Sequence, residues 1–412
     1  MSGVRRLGPS SENTRSAILD LVRSSGTVSR IELAEMSGLT ATSITRVVKS
    51  LIEDRLVIEI GFGDSTGGKR RSLLELNPHA RYAVGVSLDD ARLTYVVADL
   101  GGTVVGHLVS AGIGQTAPSD VIARIADELE ELFEGLEIPT ADIVGIGVAG
   151  AGLDLTASAE RVSLTAKDWD SFAVQEALES RMNLPVIRDN DAACAALGQF
   201  WAGRMSAAQD FATLYLSHGF GLGLMIDGRV SRGSSSNVGE IGHMVIDFDG
   251  HECWCGSRGC LEIIAGPRAI VAEGMTDPAL TERLGLSGDD DHLRHDFDSI
   301  ARAAANGEER CMALIERSAR YVAAAMLSVV NLLDLSRIYL AGPGFADAGA
   351  IYVDAINDSI SRLARTRTIH EVEVTLSDPG LDAAAVGAAS LALQHVLTPH
   401  AGVQRARTSA YP

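Results

Sequence analysis

A cluster of three cysteines within eight residues, Cys253, Cys255 and Cys260, constrains this chain more than any other sequence feature. Two glycines in the same stretch permit the tight turns by which neighbouring cysteines converge. His243 lies upstream and completes a Cys₃His set, which is typical of a structural zinc site. Four protein ligands leave no open coordination position, so we expect a zinc ion that stabilises a loop. The alternative interpretation is three free cysteines that are close by chance.

The remaining sequence favours a cytoplasmic protein. Met1–Ser11 lacks the apolar stretch of a secretory signal. The most apolar segment, Tyr321–Leu335, is interrupted by polar residues and is shorter than the roughly 20 residues that cross a bilayer. Disulfides are rare in that compartment, so clustered cysteines indicate metal or redox chemistry. Cys194 and Cys311 lie in alanine-rich helical contexts and are predicted core residues.

Charge divides the chain into a head and a body. Residues 1–76 contain 11 Lys and Arg against 9 Asp and Glu, whereas the whole chain of 412 residues has a net charge of −19. A neutral-to-basic head on an acidic body indicates a DNA-binding module. Apolar residues make up 46% of the chain, which excludes disorder as the main state. The length predicts two or three domains.

The head is predicted to contain three short helices within residues 14–60. Ser29 and Glu32 have the spacing of a capping box at the start of the second helix, and Gly38 ends it. The third helix begins near Thr40. Four apolar residues of the third helix follow the i, i+3, i+4, i+7 pattern of a buried stripe. These residues are Ile44, Val47, Val48 and Leu51.

A second face of the third helix carries small polar and basic side chains and no carboxylate. Such a face suits the DNA major groove. The predicted contact residues are Thr42, Ser43, Arg46 and Lys49. Two predicted strands, Leu56–Ile60 and Ser72–Leu76, enclose a glycine-rich turn that ends in Lys69, Arg70 and Arg71. The turn is typical of the wing of a winged helix, which contacts phosphates or the minor groove. The alternative is a packing module with a solvated polar face.

From residue 77 onward, strands alternate with helices, which predicts an α/β body. Asn77-Pro78 marks the boundary, and Val121–Phe133 has helical periodicity. A second run of similar character begins near Phe211. The predicted strands are Tyr82–Leu88, Ala91–Asp99, Ile143–Val148, Thr213–Ser217 and Gly223–Ile226.

The stretch Gly239–His243, followed by Cys-x-Cys-Gly-x-x-Gly-Cys-x-Glu ending at Glu262, resembles the signature of the ROK family. Members of that family are repressors, open reading frames and sugar kinases. The resemblance covers almost the whole chain and implies a two-lobed body of the actin/Hsp70/hexokinase type. The head resembles the winged helix-turn-helix of the family's transcriptional regulators. The implied domains are a head at 1–76, a first lobe at 77–189 plus 381–400, and a second lobe at 190–380 that carries the zinc loop.

The resemblance also implies a sugar-binding cleft. Asn190 matches a residue that holds sugar hydroxyls, and Asp191 matches the general base of the kinase members. The other hydroxyl-binding positions correspond to Glu240, His243 and Glu262. His243 would then serve both zinc and sugar, because its two ring nitrogens are distinct. Without the resemblance, these acidic residues would be interpreted as solvated surface.

The chain departs from the family at its phosphate loops. The first loop, Asp-x-Gly-Gly-Thr, aligns with Ser87–Ala91, so Asp89 and Asp90 replace both glycines. Two carboxylates there would repel a triphosphate and block close backbone approach. Phe220 replaces the Thr of the second loop, and Pro343 interrupts the late Gly-Gly-Gly. We therefore expect no kinase activity, with Asp191 as a vestigial base.

A sugar-side position departs as well, since Ala166 stands where family members often have an Asn. This change argues against glucose itself as the ligand.

The sequence thus predicts a sugar-responsive transcriptional regulator of carbohydrate metabolism genes, most simply a repressor. It would bind a palindromic operator in double-stranded DNA as a homodimer or a dimer of dimers, without a membrane partner. One alternative is an active ATP-dependent sugar kinase with a DNA-binding head, favoured by Asp191. Another is a constitutive DNA-binding protein with a non-functional cleft, favoured by Ala166. A response to a phosphoprotein or transporter partner is a further alternative.

Overall fold

The computed structural model describes residues 11–62, 72–150, 169, 172–202, 210–235, 238–377 and 382–397. The predicted wing residues Lys69, Arg70 and Arg71, and the sugar-side position Ala166, lie outside these ranges.

The head contains three helices and a small sheet in its described part. The helices are α1 (Ser11–Ser25), α2 (Arg30–Ser37) and α3 (Ala41–Glu53). The strands are β1 (Val28–Ser29), β2 (Val57–Phe62) and β3 (Ser72–Leu76), in the order β1-β3-β2. The three helices and the last two strands were predicted, whereas β1 is too short to leave a periodic pattern.

Local hydrogen bonds explain why the head helices begin and end where they do. The Ser29 hydroxyl accepts from the Glu32 N–H at 3.3 Å, and the Glu32 carboxylate accepts from the Ser29 N–H at 2.7 Å, which confirms the capping box. Gly38 ends α2 with a φ of 68°, a conformation that favours glycine. Thr40 caps α3. In α3, Ile44 is fully buried, as the apolar stripe predicted.

The first sheet of the body has the strand order β6-β5-β4-β7-β8. Strands β4, β5 and β6 pair antiparallel, whereas β7 and β8 continue the sheet in parallel from β4. The strands are β4 (Tyr82–Leu88), β5 (Arg92–Asp99), β6 (Val104–Ala111), β7 (Ile143–Gly150) and β8 (Val186–Asn190). The helices α4 (Pro118–Gly135) and α5 (Val174–Met182) join its core.

The second sheet repeats this arrangement, with the order β11-β10-β9-β12-β13. Its first three strands are again antiparallel, and its last three are parallel. The strands are β9 (Phe211–Leu216), β10 (Phe220–Ile226), β11 (Arg229–Val230), β12 (Arg337–Ala341) and β13 (Glu373–Leu376). The repetition confirms the predicted two-lobed α/β body.

Short and long helices complete the second lobe. They are α7 (Leu261–Ala265), α8 (Pro267–Gly274), α9 (Pro278–Leu284), α10 (Leu293–Ala305), α11 (Glu309–Leu333) and α12 (Gly349–Leu363). The apolar segment Tyr321–Leu335 lies largely within α11, whose inner face is buried. Among the residues described, none of the helices has both the length and the apolar character needed to cross a membrane.

Two further helices, α6 (Asp191–Ala202) and α13 (Ala383–Leu397), pack against each other behind the first sheet. Glycines make this packing possible. A Cβ at Gly147 in β7 would lie 1.8 Å from the Ala388 carbonyl oxygen of α13. A Cβ at Gly223 in β10 would lie 2.1 Å from the Ala192 carbonyl oxygen of α6. The helix α6 therefore packs backbone-to-backbone against the second sheet, while α13 does so against the first.

Candidate functional site

The predicted metal ligands His243, Cys253, Cys255 and Cys260 come together. Their ligand atoms all lie within 4.8 Å of one another. The Cys253 Sγ is 3.6 Å from the His243 Nδ1, and the Cys255 Sγ is 3.7 Å from the Cys260 Sγ. A tetrahedral zinc with Zn–S bonds of about 2.3 Å requires sulfur atoms about 3.8 Å apart. The donor set and its spacing therefore fit a zinc ion.

The backbone of the cysteine loop is folded by two tight turns. The Cys253 N–H donates to the Ser257 carbonyl at 2.8 Å, and Gly256 adopts a φ of 89°. Gly259 has a φ of 61°, and a Cβ there would lie 1.5 Å from the Asp247 carbonyl oxygen. Only glycine fits these positions, so the loop is shaped by its glycines as the sequence predicted.

The pKa values of the cluster show which of its groups are ready to bind a cation. Burial raises the pKa of the Cys260 thiol to about 12 and lowers the pKa of His243. The imidazole is thus neutral, which is the form that binds metals. A bound divalent cation deprotonates thiols outright and so overcomes the effect of burial.

Asn190 and Asp191 lie where β8 ends and α6 begins. The Asn190 Oδ1 accepts from the Ala192 N–H at 2.9 Å and from the Ala193 N–H at 3.2 Å. The Asp191 Oδ1 accepts from the Ala192 N–H at 2.7 Å. Both side chains therefore cap the N-terminus of α6, which is a favourable place for negative charge.

Asp191 is surrounded by other ionisable groups. Burial raises its pKa to about 6, although His218 and the Ala192 hydrogen bond oppose the increase. The charges of Asp89 and Asp382 raise the pKa further. A carboxylate with this pKa can accept a proton from a hydroxyl near neutral pH.

Glu262 connects the metal loop with the second sheet. Its Oε2 accepts from the Phe220 N–H at 2.9 Å. Burial raises the pKa of Glu262 to about 7, although the Phe220 hydrogen bond and the charge of His218 oppose this increase. A Cβ at Gly219 would lie 2.7 Å from the same carboxylate oxygen, so glycine is needed for this approach. The charge of His218 acts on both Glu262 and Asp191, so these two predicted sugar-binding groups share one ionisable neighbour.

Glu240 precedes a short 3₁₀ turn, Ile241–His243, that ends in His243. Glu240 is exposed and interacts electrostatically with His243. The Nδ1 of His243 faces the cysteines. Glu262 lies in α7, two residues after Cys260, so the cysteine cluster lies between the predicted sugar ligands along the chain.

The turn after β4 contacts the turn after β9 across the cleft. The Ser217 hydroxyl donates to the Asp89 Oδ2 at 2.5 Å, and the His218 Nε2 lies 3.0 Å from the Asp90 Oδ2. Burial opposes protonation of His218, but Asp90 and Asp89 outweigh it and raise the pKa of His218. Burial likewise opposes ionisation of Asp89, but His218 and the Ser217 hydroxyl lower its pKa overall. We call these four residues the interlobe latch.

Three further residues of this region were not predicted as site residues. His218 directly precedes the second glycine loop, which was a usable signal. Asp382 is a buried carboxylate that accepts from the N–H groups of Ala384 and Ala385, and burial raises its pKa. Arg232 forms a bidentate ion pair with Asp189 at 2.7 and 2.5 Å, next to Asn190. Only the tertiary structure brings Arg232 and Asp382 to the cleft.

The predicted DNA-contact residues lie on the open side of α3. Thr42, Arg46 and Lys49 are exposed, whereas Ser43 is half-buried, and the Thr40 hydroxyl accepts from its N–H. Lys49 lies 3.7 Å from the Glu53 carboxylate one turn further on. This face therefore carries cations and hydroxyls, with one carboxylate at its far end.

The chain is similar to known proteins over most of its length. The ROK family profile matches residues 92–395. This chain belongs to the ROK family. A xylose repressor from Bacillus spizizenii is 25% identical over 374 residues, which are 90% of this chain and 92% of the repressor.

Solved structures of ROK proteins share the fold. A ROK family transcriptional regulator, described as a homolog of the E. coli MLC protein, aligns with a TM-score of 0.71 and 24% identity over 94% of this chain and 98% of its own. A ROK family glucokinase from Streptomyces griseus, solved with glucose and AMPPNP, has a TM-score of 0.59 and 26% identity. The glucokinase alignment covers 99% of that enzyme but only 76% of this chain.

Proposed function

We propose that this chain is a sugar-responsive, DNA-binding transcriptional regulator, most simply a repressor of carbohydrate metabolism genes. The observation that carries the proposal is the interlobe latch. It joins the two loops that the family resemblance assigns to phosphate binding in kinases, while Asp191 and Glu262, which we propose bind sugar, take no part in it. Phosphoryl transfer requires that the phosphates of ATP be held in place. If the latch occupies the phosphate position, the protein can bind a sugar without phosphorylating it.

Relatives with the same overall extent support a regulatory role. The xylose repressor matches this chain over nearly its full length. By contrast, the family profile begins only at residue 92, so the head at residues 1–76 is an addition to the part shared with the kinases. We propose the domain limits 1–76, 77–189 plus 381–400, and 190–380 on this basis.

In our proposal, the head binds operator DNA through Thr42, Ser43, Arg46 and Lys49, and Lys69, Arg70 and Arg71 contact phosphates from the wing. The exposed face of α3 supports the first group. A homodimer would place two such helices in successive major grooves of a palindromic site.

The sugar would bind to Asn190, Asp191, Glu240, His243 and Glu262. A zinc ion held by His243, Cys253, Cys255 and Cys260 would stabilise the loop that carries the last three of these sugar ligands. The Nδ1 of His243 faces the cysteines, so its Nε2 remains for a sugar hydroxyl.

An active sugar kinase is the second candidate, favoured by the retained Asp191 with its pKa of about 6. Asp89 and Asp90 argue against it, because they contribute negative charge where a triphosphate would bind. Sugar-dependent turnover of ATP to ADP, with formation of a sugar phosphate, would distinguish the two candidates.

The direct test is selection of bound duplexes from a random DNA library, followed by affinity measurements with and without D-xylose, D-glucose and N-acetyl-D-glucosamine. We expect one duplex family to be enriched and one sugar to change its affinity at least about fivefold. Arg46→Ala should weaken binding by about 1–3 kcal/mol, whereas Arg362→Ala, on an exposed arginine of the body, should not change it. Failure to enrich any duplex, or equal affinity with every sugar, would contradict the proposal.

A further inference from the structure

The helix α6 connects the cleft to the head. Its first residue is Asp191, and Asn190 immediately precedes it. Its last turn carries Phe200 and Trp201, which hold Arg23 of α1 in the head. The Arg23 guanidinium carbon lies 4.4 Å from the Trp201 ring centroid and 5.7 Å from that of Phe200. At 1.5 Å per residue, the two ends are about 15 Å apart.

The N-terminus of α6 is capped by two of the side chains that we propose to bind sugar. The carbonyl oxygen of the Asn190 side chain accepts from two N–H groups of the first turn, and the Asp191 carboxylate accepts from one of them. A sugar hydroxyl that binds these oxygens competes with the helix for the same lone pairs. Ligand binding therefore acts directly on the N-terminus of α6.

The helix α6 is packed closely along its length. Eight of its residues are buried, and its backbone touches neighbouring backbone on two sides. A Cβ at Gly387 of α13 would lie 1.6 Å from the Cys194 carbonyl oxygen. A Cβ at Gly223 of β10 would lie 2.1 Å from the Ala192 carbonyl oxygen. Such close packing leaves no soft layer that could absorb a displacement.

The head end of α6 is held by an interaction that is easily changed. Arg23 is only 6% exposed, and Asp20, on its own helix, is 2.9 Å from its Nη2. Its Nη1 is buried without a hydrogen-bond partner in the described part of the chain. A buried donor left unpaired destabilises a contact, and a purely apolar junction would avoid that cost. The attraction between a guanidinium and an aromatic ring depends on the distance and angle between them. A shift of the Trp201 ring would therefore change the strength of this contact.

We propose that α6 transmits the effector signal, with Asn190 and Asp191 as its ligand end and the Arg23–Phe200–Trp201 contact as its head end. This inference rests on the proposed function. Sugar binding displaces α6. The displacement changes the contact of Phe200 and Trp201 with Arg23. The head then changes its orientation, and with it its affinity for DNA. Arg23 and Trp201 are thus positioning residues, which touch neither sugar nor DNA.

The test compares the ratio of DNA affinities with and without sugar, because a purely structural defect would change both affinities alike. The probes are the selected duplex and D-xylose, D-glucose or N-acetyl-D-glucosamine. Arg23→Met keeps the alkyl chain and removes the guanidinium, and Trp201→Phe alters the contact from the α6 side. Arg15→Met is the matched control, because Arg15 also lies in α1 but contacts Ser50 and Asp54 within the head.

We expect a sugar response of at least about fivefold in the wild type and in Arg15→Met, but below about twofold in Arg23→Met and Trp201→Phe. Sugar affinity without DNA, measured by calorimetry, should remain within about twofold in Arg23→Met. An unchanged response in both Arg23→Met and Trp201→Phe would overturn the α6 route while the proposed function stood. Equal loss in Arg15→Met would also overturn it, since any weakening of the head would then suffice. A wild type that ignores all three sugars would refute the proposed function itself.

Discussion

Two turns at equivalent places in the repeated sheets differ in charge. The turn between β4 and β5 carries the carboxylates Asp89 and Asp90, whereas the turn between β9 and β10 carries Ser217, His218 and Gly219. The two turns contact each other through the interlobe latch. The first turn is acidic, and the second offers it a hydroxyl and an imidazole.

The difference shows which retained residues are informative about function. Gly219 makes room for the Glu262 carboxylate, and Gly223 makes room for the backbone of α6. Gly342, in the late glycine motif, has a φ of 100° and lies against the Leu216 carbonyl. Packing therefore accounts for Gly223 and Gly342, whereas Gly219 lies beside the end of a single side chain. We base the expectation that ATP does not bind on the two carboxylates of the first turn.

Loss of the proposed metal site should have the largest effect on stability. Cys260→Ser should destabilise the loop by more than about 5 kcal/mol, because metal binding and loop folding are coupled. Cys311→Ser, at another fully buried cysteine, should cost only about 1–2 kcal/mol. Chemical denaturation with metal analysis measures both. Equal costs for the two variants would contradict a metal-stabilised loop.

Gly223→Ala should have the next largest effect, about 3 kcal/mol, because its Cβ would overlap the Ala192 carbonyl oxygen. Gly135→Ala is the control, since a Cβ at that helical glycine meets nothing within 4 Å. It should be neutral or stabilise by up to about 1 kcal/mol. Urea denaturation checks both values. A neutral Gly223→Ala would mean that the glycine is kept for some other reason, such as a nucleotide.

Asp191 should make the stability depend on pH. Burial raises its pKa to about 6, so the folded state binds this proton more tightly than the unfolded state does. The resulting stability is fully present below about pH 4 and is lost as the pH rises through 6, by about 2–3 kcal/mol. Asp191→Asn removes this component. Urea denaturation at pH 4 and pH 8 measures the free energy of unfolding of both proteins. The variant should become more stable relative to the wild type at pH 8. A difference that is the same at both pH values would contradict a raised pKa of Asp191.

The interlobe latch should have the smallest effect on stability. His218 and Asp90 are both partly exposed, so their coupling in a double-mutant cycle of His218→Gln and Asp90→Asn should be about 0.5–1 kcal/mol. The pKa of His218 is raised, so this coupling is fully present below its usual value near 6.5 and disappears as the pH rises above its folded value. Cycles at pH 6 and pH 9 measure the change. Coupling that grows with pH would contradict an ionic latch.

Much of the fold was predictable because it depends on interactions between residues that are close in sequence. The capping box at Ser29 and the stripe at Ile44 depend on residues a few positions apart, and both were confirmed. The two-residue strand β1 was missed, since its pairing with β3 is a tertiary contact. The strand β6 was also missed, although its residues alternate between half-buried and exposed.

The site was predictable in part. The four metal ligands are close in sequence and were found from spacing, and the structure brings them together. Asn190, Asp191 and Glu262 came only from the family resemblance, because an isolated carboxylate carries no signal of its own. Arg23 was not identified at all. Its partners Phe200 and Trp201 are more than 170 residues away, and no periodic pattern records such a contact.

The central claim is that the cleft binds a sugar but not ATP. Thermal unfolding of the metal-loaded protein with D-xylose, D-glucose or N-acetyl-D-glucosamine, each with and without Mg-ATP, tests it most directly. A sugar at about 100 times its dissociation constant adds roughly 2.7 kcal/mol, which raises the Tm by several degrees. We predict such a shift with one sugar and no further change with Mg-ATP. A shift caused by Mg-ATP, or formation of ADP and a sugar phosphate from Mg-ATP and the sugar, would contradict the account and support an active kinase.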